Sequence, residues 1–386
     1  MATVIDDDQR RARLARRHLL GPAHRAASPE QVAEAVLVLH ASDPATVFLS
    51  TAARAAGTGV AALERSLYQD RTLLRMHGMR RTLFVLPADV APLVHSSTTR
   101  KVAVTERRRL LAFLAEGGWD ADWLAGVEQR ALAALASAGE ASTKQLGDLV
   151  PELRESVLMS AGKPYEARQS VGSRLLVVLG MDGTIVRGRP VGGWTSGTHH
   201  WEPHRAPARL PVAEAQAELA RRWLASYGPA TVEDFKWWTG WGLREVRAAL
   251  EACGAVPVTL AAGAGVALPG DLDPVEPPEP WAALLPALDP TPMGWQQRDW
   301  YLPTEHRAEL FDRSGNIGPT VWWNGRVVGG WAQRAGGSLT WEALEPLDGA
   351  ATAAVEAELD RLHGWLGDTR VTPRFRTPLE RRLSAS

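Results

Sequence analysis

Cysteine is almost missing from this chain of 386 residues: Cys253 stands alone, which excludes an intrachain disulfide or a cysteine-cluster metal site. An excess of one charge sign is missing as well. Lys+Arg number 43 and Asp+Glu 44, for a net charge of -1, so any contact with nucleic acid must rest on local basic surface. Long apolar runs are absent too. The opening MATVIDDDQRRARLARRHLL turns from acidic to basic with no apolar stretch fit for a secretion signal, and no run elsewhere is long enough to span a bilayer. A cytoplasmic location without membrane attachment is the expectation. The 45% hydrophobic fraction supplies real cores, and the length suits two or three domains or one subdivided body.

What is present is a recurring order of short helices followed by extended residues. Residues 9–20 form a basic amphipathic pattern, with Leu14 and His18 inward and Arg10, Arg13 and Arg17 outward. Ser28-Pro29-Glu30 supplies an N-cap, a first-turn proline and an acidic first turn for a helix over 29–39. A helix over 58–68 follows, then a shorter one over 71–76, a basic turn and an apolar strand over 83–86. Further on, helices are expected over 102–116, 119–136 and 142–149, with a recognition helix over 152–159. Met181-Asp182-Gly183 reads as a hairpin turn between a strand ending there and one over 184–187. A third set has helices over 211–227, 230–238 and 243–252, the middle one opened by a Thr231/Asp234 capping box, and then a strand over 256–260. The architecture repeats where the sequence does not.

Residues 269–292, rich in proline and acid, read as an irregular excursion. Strands resume beyond, with Asn324-Gly325 suited to a type I′ hairpin turn, and they predict a small antiparallel sheet or barrel. A helix over 345–366 and a basic tail without regular structure close the chain. The expected divisions are 1–95 (first winged-helix region), 96–205 (second), 206–265 (third), 266–345 (barrel region) and 346–386 (helix and tail).

The densest chemistry lies in His40, Ser42 and Asp43. An imidazole titrates near neutrality, so His40 can take a proton from a water molecule that the Ser42 hydroxyl orients, with Asp43 orienting His40 or adding negative charge nearby. His40 and Ser42 lie close together only if the segment is extended; otherwise Ser42 or Asp43 caps the next helix and His40 is a satisfied polar residue. His77, Arg80 and Arg81 occupy the basic turn, where arginine can meet phosphate or simply solubilise the strand beside it. His199 and His200 are candidate backbone contacts on a wing. With His204 they have a loose metal-like spacing, which Pro203 and the lack of paired acidic ligands undercut, so neither metal nor cofactor is expected. Arg107, Arg108 and Arg109 read as a solvated helix face. Trp237, Trp238, Trp322, Trp323 and Trp331 suit cores better than base stacking.

Four runs together resemble a known family: L-x-x-H-A-S-D-P from Leu37, LERSLYQDRTLLRMHGMRRTLFVLP over 63–87, GPATVEDFKWWTG over 228–240, and FDRSGNIGPTVWWNGRVVGGW over 311–331. The chain is similar to the bacterial winged-helix DNA-binding domain proteins that include the AlkZ and YcaQ DNA glycosylases. The resemblance implies an α+β fold of tandem winged helices forming a concave DNA-binding body, with a C-terminal antiparallel β-barrel. It implies a monomeric, monofunctional glycosylase acting on double-stranded DNA with alkylated or bulky-adduct purines, in self-resistance to a genotoxic natural product. The family motif is Gln-aliphatic-Gln or Gln-aliphatic-Asp, and its polar positions fall on His40 and Ser42, so this chain departs at both. The competing expectations are a non-catalytic winged-helix DNA-binding protein, either a regulator or a lesion shield, and a protein-interaction scaffold.

Overall fold

The computed structural model describes residues 2–159, 162–163 and 166–385. The chain opens with β1 (Thr3–Val4) and α1 (Asp7–Arg17), the helix being capped by Asp6, which accepts from the Gln9 amide. Two of the arginines expected outward on α1 are buried, Arg10 at 3% and Arg13 at 4% exposure. The helix is enclosed, and the guanidinium groups find partners within the protein. Arg10 lies 4.0 Å from the Trp300 ring centroid, and Arg13 donates to the Asp273 carbonyl at 2.8 Å.

The first repeat comprises α2 (Pro29–Ala35), β2 (Leu39–His40), α3 (Pro44–Arg54), α4 (Val60–Tyr68), β3 (Leu73–His77) and β4 (Leu83–Pro87), with sheet order β2-β4-β3. Ser28 caps α2 as expected, but the helix stops before Leu37, whose φ of 64° takes it out of helical geometry. Residues expected as a short helix over 71–76 instead form β3. Arg71 at φ 54° breaks from the preceding helix, and each residue from Leu73 to His77 finds an antiparallel partner in β4.

The second repeat begins with α5 (Ala91–Val94), which runs through a π-turn at His95–Thr99 into α6 (Arg100–Glu116). It continues with α7 (Ala121–Ala138), β5 (Ala141–Ser142), α8 (Thr143–Leu149), the hairpin β6 (Ser156–Met159) and β7 (Ala167–Ser170), α9 (Val171–Asp182), β8 (Ile185–Pro190) and β9 (His199–Pro203). Its sheet order is β5-β9-β8. The helix expected over 152–159 is a 3-10 turn, Pro151–Arg154, followed by β6. Met181-Asp182-Gly183 is no hairpin. Gly183, at φ 82°, ends α9 with its N–H on the Leu179 carbonyl, a left-handed cap that glycine enters without a side-chain clash. Arg107 is not a solvated residue, because it ties α6 to both Glu128 and Asp182.

The third repeat holds α10 (Val212–Tyr227), α11 (Val232–Thr239), α12 (Leu243–Ala252), β10 (Val256–Leu260) and β11 (Gly263–Ala267). Ala230 bridges Val266 beside β11, and β1 adds in parallel to β10. The Thr231/Asp234 capping box is present, and the other Asp234 oxygen accepts the amides of Gln296 at 2.9 Å and Gln297 at 2.8 Å. In all three repeats a short extended piece before the second helix pairs with the last strand, which is winged-helix topology.

The C-terminal strands do not close into a barrel. β12 (Ala282–Leu285), β13 (Thr320–Trp323), β14 (Arg326–Gln333) and β15 (Leu339–Ala343) form an open sheet in that order, with β12 and β15 at its edges. A short α13 (Arg307–Leu310) precedes β13, and α14 (Gly349–Leu366) and α15 (Pro378–Ala385) follow the sheet. Both faces of the sheet are covered, which removes the drive to curl. Ala282, Leu284, Val321 and Val328 pack with Val355, Leu362 and Leu366 of α14. Ala283, Leu285, Trp322 and Val327 point into the main core with Leu379 and Leu383 of α15. The tail is therefore partly helical. Asn324 and Gly325, at φ 45° and 83°, make the expected type I′ turn. The second half of the supposed excursion is core, since Trp281, Asp289 and Thr291 are buried and Asp289 pairs with the fully buried Arg54 at 2.6 Å. The main core joins one face of the first repeat's sheet to the third repeat and the C-terminal sheet, while the second repeat has a core of its own.

Candidate active site

The His40-Ala41-Ser42-Asp43 segment occupies the strand-to-helix junction of the first repeat, the place where Ser142 and Thr231 cap α8 and α11 in the other two. Asp43 takes that capping role here. Its carboxylate accepts the Ala45 amide at 3.1 Å and, from the far end of the chain, the Arg374 amide at 2.8 Å. Burial pushes its pKa up against those hydrogen bonds. Among the described residues Asp43 makes no hydrogen bond to His40: it lines a cavity with Thr46, Leu49, Trp331 and Pro373, whereas His40 lines another.

His40 projects from β2 into a small cavity with Phe84, Tyr227, Trp238 and Met293. Its ring meets Phe84 edge-on at 5.5 Å, and its Nδ1 accepts the Ser42 amide over a long 3.4 Å. That contact puts the proton of the neutral imidazole on Nε2, which has no protein hydrogen-bond partner among the described residues. Burial, helped by the nearby Arg80 charge, lowers the His40 pKa to about 4, so the ring is neutral at pH 7. The Ser42 hydroxyl is also free of protein partners among the described residues, and the Ser42 carbonyl accepts from Arg374 Nη1 at 3.3 Å.

Arg80 lies over this cavity. The turn between β3 and β4 places Arg80 and Arg81 at φ 53° and 62°, and its tip docks on the third repeat. The Arg80 guanidinium stands 4.1 Å from the Trp237 ring centroid, and Arg298 approaches the same ring at 4.8 Å. Gly240 makes the docking possible, because a Cβ there would stand 2.9 Å from Arg80 Cγ. Arg81 pairs with Glu106 at 2.8 Å. Neither arginine is therefore an unattached surface cation.

His77 does not join His40. His40 and Met76 both pair with Phe84, so these three side chains share one sheet face; Arg75 and His77, with Leu83 and Val85, take the other. His77 belongs instead to a cleft between the first two repeats, lined also by Arg75, His95 and Arg187. Burial lowers its pKa to about 3, reinforced by Arg187, Arg81 and His199. His199 leans edge-on against Trp201 at 4.9 Å, and burial with Arg187 lowers its pKa to about 4. His200 sits in β9 opposite Ser142. Among the described residues no group of three or more His, Cys, Asp or Glu is placed to hold a metal ion. Trp238, Trp322 and Trp331 are core residues, and Trp237 is occupied by its two arginines.

Three arginines near these sites have no site role in the sequence analysis: Arg75, Arg187 and Arg374, the last of them counted only in the basic tail. The signal was there for two of them, as single charges inside the apolar runs Leu73-Leu74-Arg75-Met76 and Ile185-Val186-Arg187. Arg374 comes to Ser42 only through the fold.

The comparisons agree with this architecture. No curated protein sequence matches the chain. Among solved structures, the Streptomyces sahachiroi DNA glycosylase AlkZ superposes with a TM-score of 0.72 at 20% identity, over 94% of this chain and 97% of that one. No helix among the described residues is long and apolar enough to cross a membrane. The family model described as DNA glycosylase AlkZ-like matches residues 33–365, most of the sequence, and the chain belongs to that family of DNA glycosylases.

Proposed function

We propose that the chain, acting as a monomer on double-stranded DNA, hydrolyses the N-glycosidic bond of alkylated purines, with His40 and Ser42 holding the attacking water. The observation that carries this reading is that, among the described residues, neither His40 Nε2 nor the Ser42 hydroxyl at the motif positions has a hydrogen-bond partner in the protein. An N3- or N7-alkylated purine is already cationic, so the C1′–N bond breaks with its electron pair leaving on the base, which departs neutral. The sugar carries the positive charge. Water then adds to C1′ and loses a proton to solvent. What the protein must supply is position and a polar environment for the cation.

His40 acts here as a donor and not as a base. Its available nitrogen carries the proton, and its depressed pKa keeps the ring uncharged, so it brings no second positive charge to the sugar cation. That role is open to glutamine too, which accounts for a histidine in a motif position where the resembling family has an amide. Asp43 is a positioning residue that fixes the start of α3.

The test is base release from duplex DNA carrying N7-methylguanine or a bulky N7 adduct, comparing wild type with His40→Ala and Ser42→Ala. Release lost with DNA binding retained supports catalysis at this motif. Tight duplex binding with no release from either adduct assigns the chain to non-catalytic DNA binding.

A further inference from the structure

The seam between the first two repeats holds cations that the mechanism above does not use. Arg75, on β3, is 5% exposed, yet among the described residues its Nε and Nη2 have no hydrogen-bond partner. Arg187, on β8, likewise has an unpartnered buried Nε. Neither forms an ion pair among the described residues. Two carboxylates on elements of these repeats are engaged elsewhere: Glu202 pairs with Arg71, and Glu64 with Arg189. Both arginines line the same cleft with His77. Their charges oppose one another, and Arg374 adds to the repulsion: burial, Arg75 and Arg374 lower the Arg187 pKa to about 10. A buried guanidinium without a counter-charge is costly unless an anion completes it.

We infer that Arg75 and Arg187 form a site for one phosphodiester of the DNA backbone, held at the seam of the first two repeats. Guanidinium suits this ligand, since its planar fork gives parallel hydrogen bonds to two phosphate oxygens. The neutral histidines suit it as well, since His77 and His199 can donate without competing for a counter-ion. A phosphate held here would fix the register of the strand on the protein. This assignment rests on the glycosylase reading for its choice of DNA over another phosphate.

The experiment measures duplex affinity as a function of salt for wild type, Arg75→Met and Arg187→Met, with DNA in which a single methylphosphonate is walked along the lesion strand. Each substitution is expected to weaken binding about tenfold and to lower the salt slope by about one. One methylphosphonate position should weaken wild type by a similar factor and leave both variants unaffected. The melting temperature of Arg75→Met should equal or exceed that of wild type, because an unpaired buried charge is removed. A lower melting temperature with unchanged DNA affinity would make Arg75 a structural residue and overturn the proposal, as would unchanged affinity and slope in Arg187→Met. Titration with inorganic phosphate separates the sources: saturable binding without any methylphosphonate effect identifies a free-anion site and overturns the DNA assignment. Base release by wild type is read in parallel. If it persists while the slopes do not change, this inference alone fails; if it is absent, the glycosylase reading fails.

Discussion

His40 and His77 stand on opposite faces of one three-stranded sheet, His40 sharing its face with Phe84 and Met76, and His77 sharing the other with Arg75. The sheet thus separates two polar environments that look continuous in the sequence. One is the small cavity of His40 under Arg80; the other is the cationic cleft of Arg75 and Arg187. A single strand serves both because its side chains alternate.

Arg80 acts on the His40 ring through its charge. Its charge is the second cause, after burial, of the lowered His40 pKa. Arg80→Met should raise that pKa, read from the imidazole proton shifts by NMR, and should cost about 0.5–2 kcal/mol of stability through the lost contact with Trp237. A His40 titration that does not move would show that burial alone sets it.

Acid should destabilise the fold in a defined window. His18 and His40 are buried, with pKa values lowered to about 3 and about 4. In the unfolded chain they titrate near 6.5, so between about pH 6.5 and 4 the unfolded state binds more protons than the folded one. Stability is fully present above that window and falls as pH drops through it, by up to about 1.4 kcal/mol per pH unit for each histidine. Urea midpoints between pH 4 and 8 measure this, and His18→Gln should flatten the curve.

The Arg54–Asp289 pair predicts a large structural effect away from the site. Both side chains are 0% exposed, and Asp289 accepts from Ser50 at 2.6 Å as well as from Arg54 at 2.6 and 2.8 Å. Asp289→Ala strands a buried guanidinium and should cost about 3–5 kcal/mol, measured by denaturant unfolding. A loss under about 1 kcal/mol would mean that water reaches the pair.

Much of the fold is legible in the sequence because caps and periodicity act locally. Ser28, Ser142 and Thr231 open helices as their residue types demand, and Asn324-Gly325 turns a hairpin. What fails depends on distant partners. The run from Leu73 to His77 is a strand because β4 pairs with it, and Arg10 and Arg13 are buried because Trp300 and Asp273 arrive from the other end of the chain. The open sheet replaces the expected barrel because α14 and α15 cover its faces. At the site, the motif itself is visible in sequence. Its split from His77 follows from strand register, and the tie from Asp43 and Ser42 to Arg374 spans most of the chain.

The most direct measurement is single-turnover release of N7-methylguanine by wild type, His40→Ala and His40→Gln, with duplex affinity measured alongside. If His40 positions water through Nε2–H, the alanine variant should slow release about a hundredfold with affinity unchanged. The glutamine variant should stay within about tenfold of wild type, because its amide N–H can donate in place of Nε2. Equal rates for wild type and His40→Ala would contradict the account and place the chemistry elsewhere in the fold.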